Sequence, residues 1–207
     1  MIKKKGLLLV ISGPSGAGKG TVCKELLERN PEFKLSISAT TRAPREGEVD
    51  GESYFFLTKE KFSEMIGQGG FLEYAQIYSN FYGTPKGPVM KYLEEGSDVI
   101  LEIEMQGARQ VKEMYPEAVL IFVLPPSLEE LRNRLTTRGT ETEEQVNERL
   151  STSLEEIKQV KDYNYFIFNE NNKTTESAKI IEDIIVAEKN KASRYEKAII
   201  KKFEEEL

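Results

Sequence analysis

The residues from Gly13 to Thr21 read GPSGAGKGT, a spacing of glycines and lysine suited to gripping phosphate. Glycines let a loop take positive φ and bring its backbone close to a ligand, where a side chain would intervene. The backbone N–H groups, with the positive end of a helix that starts at the loop, then aim at phosphate oxygens. Lys19 adds a full charge for the β- and γ-phosphates. Gly13, Pro14, Ser15, Gly16, Ala17, Gly18, Lys19, Gly20 and Thr21 therefore read as a nucleotide-binding loop. The strict pattern puts a hydroxyl in the eighth place for Mg²⁺; here Gly20 stands there and the hydroxyl comes one residue later, at Thr21. Mg²⁺ keeps several waters in such sites, so the ion stays compatible with this loop.

A second constellation follows in SATTRAPREGEVDGESYFF, with Arg42 and Arg45 three apart and Glu48 and Tyr54 downstream. Guanidinium forks bind phosphate oxygens bidentately, and a tyrosine hydroxyl can add a donor. Two anion sites in one chain imply a donor and an acceptor phosphate. Glu102 and Glu104 lie two apart in the apolar run VILEIE. On a strand they would share a face, and acids so placed need a cation or a partner. Glu102 is assigned to Mg²⁺ through water. Histidine is absent from the chain, which removes the commonest general base and the triads built on it. Phosphoryl transfer depends on positioning and charge neutralisation and survives that absence.

These residues need elements to hold them. LLLVIS (Leu7–Ser12) lacks alternation, as a strand buried on both faces does, and TVCKELLERN has helical spacing up to a stop at Asn30-Pro31. Strand signals follow at Lys34–Ser38, Tyr54–Leu57 and Phe71–Ile77, with a helix from about Lys59 to Ile66 and a short piece at Phe81-Tyr82. Thr84-Pro85 reads as the cap and first turn of a helix ending before Gly96. Asp98–Ile103 and Ala118–Leu124 read as buried strands around a helix at Gly107–Met114. Ser127-x-x-Glu130 and Thr142-x-x-Gln145 are capping boxes on either side of the polar break TTRGTE, a pattern that suits a mobile lid. Tyr165–Phe168 is a last strand, and Thr175 to about Lys191 a helix turning Ile181, Ile184 and Ile185 inward. The fold class is α/β, a mostly parallel sheet with helices on both faces. Ligands collect at the carboxyl ends of such strands, so Gly13, Ser38, Glu104 and Asn169 are expected to converge.

Composition narrows the class. A net charge of −6 in 207 residues argues against a nucleic-acid polymer as partner. No apolar run approaches the roughly 18 residues of a membrane helix. The lysines before Leu7 lead straight into the loop and not to a cleavage site, and the single cysteine, Cys23, reads as core filler in a reducing compartment. The expected location is cytoplasmic.

In this order and spacing, GPSGAGKGT, SATTRAPREGEVDGESYFF, FLEYAQIYSNFYGTP, EIEMQGARQVK and RLTTRGTETEEQVNERL resemble the guanylate kinase family, from about Leu7 to Lys189. The resemblance implies ATP-dependent phosphorylation of GMP to GDP, with Mg²⁺ bound with ATP, on a P-loop nucleoside monophosphate kinase fold. It implies a domain at 1–190, with a core at about 5–36, 91–125 and 160–190, a β-rich GMP-binding lobe at about 37–90 and a helical lid at about 126–159. It places the GMP phosphate on Arg42, Arg45, Tyr54 and Tyr82, and guanine on Ser38, Glu73 and Glu104, with Thr84 nearby and Glu48 supporting the arginine loop. Glu104 stands where the family more often has aspartate. Lys19 with the lid arginines Arg134, Arg138 and Arg149 would be catalytic, and Asn169 would lie on the adenine side. Guanine chemistry agrees with that choice of residues. Its N1–H and N2–H₂ are adjacent donors for a carboxylate, and its O6 accepts from a hydroxyl. The charged helical tail at 191–207 is either a frayed helix or a self-association surface for a homodimer. The rival readings are a catalytically silent guanylate-kinase-like phosphopeptide-binding module and a kinase for another nucleoside monophosphate.

Overall fold

A computed structural model describes residues 4–137 and 142–206. β1 (Leu8–Ser12) is buried throughout because successive residues pack into different cores. Leu9 and Ile11 face Val22, Cys23 and Leu26 of α1 (Lys19–Arg29), whereas Leu8 and Val10 join the opposite core. The absence of alternation in LLLVIS thus reports two covered faces. α1 ends where expected, with Asn30 as its C-cap. Cys23 is buried in that helix, and burial pushes its thiol far up, with Glu102 adding to the effect and Lys19 opposing it. It is core filler, as its setting in the sequence suggests.

The chain continues through β2 (Lys34–Leu35), β3 (Ala39–Thr40), β4 (Phe55–Phe56), α2 (Lys59–Gly67), β5 (Phe71–Ile77) and β6 (Asn80–Pro85). It then forms α3 (Lys86–Glu95), β7 (Val99–Glu102), α4 (Met105–Met114), β8 (Val119–Leu124), α5 (Leu128–Thr137) and α6 (Glu143–Ile157). A 3₁₀ turn at Lys158–Asp162 leads to β9 (Tyr165–Phe168), α7 (Thr174–Lys189) and α8 (Glu196–Glu204).

Among the described residues one sheet runs β2-β7-β1-β8-β9, each paired neighbour parallel. α1 and α7 cover one face; Val89 and Leu93 of α3 and Ala108 and Val111 of α4 cover the other. From β1 the chain goes to one side, and from β8 to the other. That divergence leaves a crevice at the carboxyl ends of the strands, where Gly13–Gly18 lies. A second sheet, β4-β3-β6-β5, packs Phe71 and Phe81 on Phe62 of α2.

Three local readings change. Thr84 does not cap α3: Pro85 is the N-cap residue, and Thr84 lies in β6, where its hydroxyl donates to a buried carboxylate. Glu104 is not on a strand with Glu102; β7 ends at Glu102, and Glu104 is the N-cap residue of α4, which begins two residues before the expected Gly107. Thr142 and Gln145 do form a reciprocal capping box, but at Ser127 the hydroxyl accepts from Glu130 N–H while the Glu130 carboxylate is engaged by Arg134. At Thr84 a buried acceptor, and at Glu130 a nearby charge, outcompetes the local pattern.

Asp98, just before β7, is buried and accepts from Leu7 N–H at 2.9 Å, and its other oxygen lies 2.6 Å from Lys189 Nζ on α7. It therefore ties the start of the sheet to the last core helix. Asp98→Ala is expected to lower the unfolding free energy by roughly 2–4 kcal/mol, since it strands a buried amide and removes a partly buried ion pair. Urea unfolding checks this; a change under about 0.5 kcal/mol would place the contact with ordinary surface pairs.

Candidate active site

The loop after β1 is held by close contacts that admit no side chain at two of its glycines. A Cβ on Gly13 (φ 146°) would stand 2.2 Å from Val123 O of β8, and one on Gly18 (φ 89°) would stand 2.3 Å from Asn169 Nδ2. Gly18 is the left-handed N-cap of α1, so that helix opens directly onto the loop. Lys19 Nζ donates to Gly13 O at 2.6 Å and to Pro14 O at 3.3 Å, which holds the ammonium over the loop mouth.

Side chains distant in sequence fasten the loop. Asn169, just past β9, is buried and donates from Nδ2 to Ala17 O at 3.0 Å; its Oδ1 is buried without a hydrogen-bond partner among the described residues. Arg134 of α5 donates to Ala17 O (3.2 Å), Asn169 O (2.8 Å) and Asn171 Oδ1 (2.8 Å), while its Nε meets Glu130 at 2.9 Å. Asn171, then Arg134, hold the Glu130 carboxyl below the usual range. Arg149 of α6 donates to Ser15 Oγ at 2.6 Å. Arg134 and Arg149 thus both converge on the loop; Arg138 lies outside the described residues. Thr21 is exposed on α1.

On the other side of Lys19 lies a cavity of about 400 Å³ lined by Ser38, Tyr54, Glu73, Tyr82, Glu102 and Glu104 as well as by Lys19 itself. Of the four residues expected to converge, Ser38 and Glu104 line this cavity with Lys19, Gly13 accepts from that lysine, and Asn169 joins the loop at Ala17. Arg42 stands behind the cavity wall, its guanidinium 5.6 Å from the Tyr54 ring centroid, and Tyr54 meets Tyr82 edge to face at 6.2 Å. Glu48 organises this corner: Oε1 accepts from Arg42 Nη2 at 2.8 Å and Oε2 from Arg45 N–H at 2.7 Å. Arg42, then the Arg45 amide, hold the Glu48 carboxyl below its ordinary value. The Arg45 residue itself is exposed.

Glu73 is the most enclosed acid of the cavity, 8% exposed, and its Oε1 accepts from Thr84 Oγ1 at 2.6 Å across the β5–β6 pair. Burial pushes its pKa up, and the Thr84 hydroxyl and backbone amide pull it back. The Glu102 carboxyl is also raised by burial, with Lys19 lowering it and Glu104 raising it further. No group of three or more histidine, cysteine or acidic side chains suited to a metal occurs among the described residues. Glu102 beside Lys19 nevertheless fits a hard cation that takes one or two carboxylates and is otherwise held by water and phosphate. At Gly20 an added Cβ would stand 3.4 Å from Glu102 Oε1, so that carboxylate lies against the place where the strict loop pattern has its hydroxyl.

The cavity also contains residues that sequence reasoning missed. Gln106 and Gly107 line it from the first turn of α4. Asn171, which holds Arg134, likewise carries no motif, and Glu130, read in the sequence only as half of a capping box, holds Arg134 as well; only their spacing from Asn169 and Arg134 could have suggested this.

Because burial lifts the Glu73 pKa above its unfolded value, the folded chain holds that proton to higher pH. The group's contribution to stability is full below the ordinary carboxylate range and is lost as pH rises through the folded-state value. Glu73→Gln is therefore expected to gain thermal stability over the parent chain from acidic to neutral pH, the gap widening upward. Melting curves of both proteins across that range test this; a pH-independent gap would refute the burial effect.

The sequence profile of the family described as guanylate kinase matches residues 5–188. A guanylate kinase from Clostridioides difficile (strain 630) is 69% identical over 207 residues, covering 100% of both chains. One from Caldanaerobacter subterraneus subsp. tengcongensis is 54% identical over 206 residues, covering 100% of this chain and 99% of the relative. Among solved structures, a guanylate kinase from Anaplasma phagocytophilum superposes with a TM-score of 0.71 at 36% identity, covering 92% of this chain and 90% of that one. With a glycine loop at the end of β1, basic side chains gathered on it and an acid-lined cavity beside its lysine, the chain belongs to the guanylate kinase family and has its P-loop nucleoside monophosphate kinase fold.

Proposed function

We infer that the family's reaction, ATP-dependent phosphorylation of GMP to GDP, is this chain's reaction, and that the residues around Lys19 carry it. The observation that supports this best is that Lys19 belongs both to the phosphate loop and to the lining of the acid-lined cavity. A triphosphate on Gly13–Thr21 and a monophosphate in the cavity would meet at its ammonium.

In this reading the backbone N–H groups of the loop and the α1 terminus hold the β- and γ-phosphates of ATP. Asn169, with its buried spare acceptor, lies on the adenine side. Tyr54, Tyr82, Arg42 and Arg45 hold the GMP phosphate, and Glu48 keeps the two arginines in place. Glu73 accepts from guanine N1–H and N2–H₂, Thr84 fixes Glu73, Ser38 donates to O6, and Glu104 closes the base site. A GMP phosphate oxygen forms the new bond to the γ-phosphorus as the bond from that phosphorus to the β,γ-bridging oxygen breaks, and ADP leaves with the electron pair. The attacking oxygen is already ionised, so no general base is required. Lys19, Arg134, Arg138 and Arg149 neutralise the charge that spreads over the transferring group. Mg²⁺ bound with ATP, held by Glu102 through water, would supply further neutralisation of the phosphate oxygens. The small sheet at about 37–90 acts as the GMP-binding lobe and the helices at about 126–159 as the lid, whose closure excludes water as a competing acceptor. A single cysteine, buried as a thiol, fits a cytoplasmic setting. No described helix is long and apolar enough to cross a membrane.

The deciding assay couples ADP formation to a chromogenic readout with ATP and Mg²⁺, offering GMP, AMP, CMP and UMP in turn. Turnover with GMP and not with the others is expected, because adenine would leave a buried carboxylate unpaired, a mismatch of roughly 10⁴-fold. Silence with all four, alongside GMP or phosphopeptide binding, would make the chain an interaction module. Lys19→Ala is expected to abolish turnover while leaving the melting temperature nearly unchanged; activity comparable to the parent would remove Lys19 from the mechanism.

A further inference from the structure

Gly107 is the third residue of α4, and its φ is not in the left-handed region, so the backbone there does not require glycine. Glycine is also a poorer helix former than alanine. Its surroundings give the reason. A Cβ at Gly107 would stand 2.6 Å from Glu73 Oε2, 3.1 Å from its Cδ and 3.3 Å from its Cγ. The bare helix edge is one wall of the slot in which the Glu73 carboxylate lies; Thr84, bonded to Oε1, is the other.

The helix cannot drift away from that carboxylate, because it is fastened one residue further along β5. Gln110, on the same helix face as Gly107, accepts from Tyr74 N–H at 3.1 Å through Oε1 and donates to Tyr74 O at 3.0 Å through Nε2. Its amide closes both free backbone groups of Tyr74 on the outer edge of the small sheet, where β5 is the last strand. The spacing between α4 and β5 is thereby set by a paired amide next to the acid, and Glu73 is the part of this contact with freedom to move.

We propose that Gly107 is a specificity-determining positioning residue: by presenting no side chain to Glu73, with Gln110 fixing the distance, it sets the carboxylate where it can take the paired N–H donors of a guanine base. This rests on the assignment of Glu73 to guanine made above. An added methyl would push the carboxylate off Thr84 and into the base site; the atoms that give way are the end of a flexible side chain and not backbone, so the fold persists although the Thr84 hydrogen bond is lost.

Steady-state kinetics with GMP, together with melting curves, test this on four variants of the full chain. Gly107→Ala is expected to raise KM for GMP by roughly tenfold or more, with kcat at saturating GMP and KM for ATP within about twofold and a melting temperature lowered by no more than a few degrees. Glu73→Asp alone should also weaken GMP, through lost reach. Combined with Gly107→Ala it should lose much less than the product of the two single losses, since the shorter acid fits beside the new methyl. A normal GMP KM in Gly107→Ala, losses that multiply independently, or a fall in melting temperature with KM for ATP raised in parallel would each overturn the proposal. Glu73→Gln separates it from its foundation. If that variant binds GMP normally, the guanine assignment fails and this inference with it; if it is impaired while Gly107→Ala is normal, only the inference falls.

Discussion

Space around the loop after β1 is the constraint on which the rest of the molecule depends. To turn its amides toward one point, the chain must pass the carbonyl of Val123 at Gly13 and the amide of Asn169 at Gly18, with no volume at either place for a single methyl. β8 and the residue after β9 are therefore not merely neighbours of the loop; they are the mould in which it is cast. The parallel sheet serves this end. Its strands β1, β8 and β9 run side by side and finish together, so that one loop can be braced by the ends of two others.

Around that loop the arginines and the cavity acids stand on either side of Lys19. Arg134 and Arg149 approach from the two helices α5 and α6, while Glu73, Glu102 and Glu104 line the opposite cavity, and Lys19 lies between. A buried acid is costly to folding, and Glu73 carries that cost; Glu102, though its carboxyl is raised too, stays solvent-exposed as a residue. Thr84 compensates the first, and water reaches the second, which also has Lys19 near it. Arg134 by contrast has four acceptors, among them the loop carbonyl of Ala17. Hydrogen bonds thus concentrate where Arg134 meets the loop, while the less compensated acids lie in the cavity on the other side of Lys19.

What was legible in the sequence was what short spacing encodes. GPSGAGKGT announced its own conformation because glycines at fixed intervals report backbone geometry, and LLLVIS reported a strand between two cores. Glu73, Ser38 and Glu104 were identified through the resemblance and do line one cavity with Lys19. Local rules failed where a distant group competed for the same atom. Thr84-Pro85 has the form of a helix start, yet the hydroxyl belongs to Glu73, eleven residues away and across a strand pair. Gly107 and Gln110 were invisible for the same reason: nothing near them in the chain reveals that β5 lies alongside. The bracing of Arg134 by Asn171 joins residues 37 apart and has no periodicity to betray it.

The lysine at the mouth of the loop carries a further implication. Its ammonium is already tethered to the carbonyls of Gly13 and Pro14, at the first turn of a helix whose opposite face is packed in the core. A lysine left free in solution would surrender up to about 2 kcal/mol of rotamer entropy on being fixed beside a phosphate. Here much of that ordering is done when the chain folds, so in the proposed reaction a phosphate would exchange one set of hydrogen bonds for another and need not immobilise a wandering side chain. Preorganisation of this kind favours a cation that changes partners easily, which a group that must release one phosphate ester after every turnover requires.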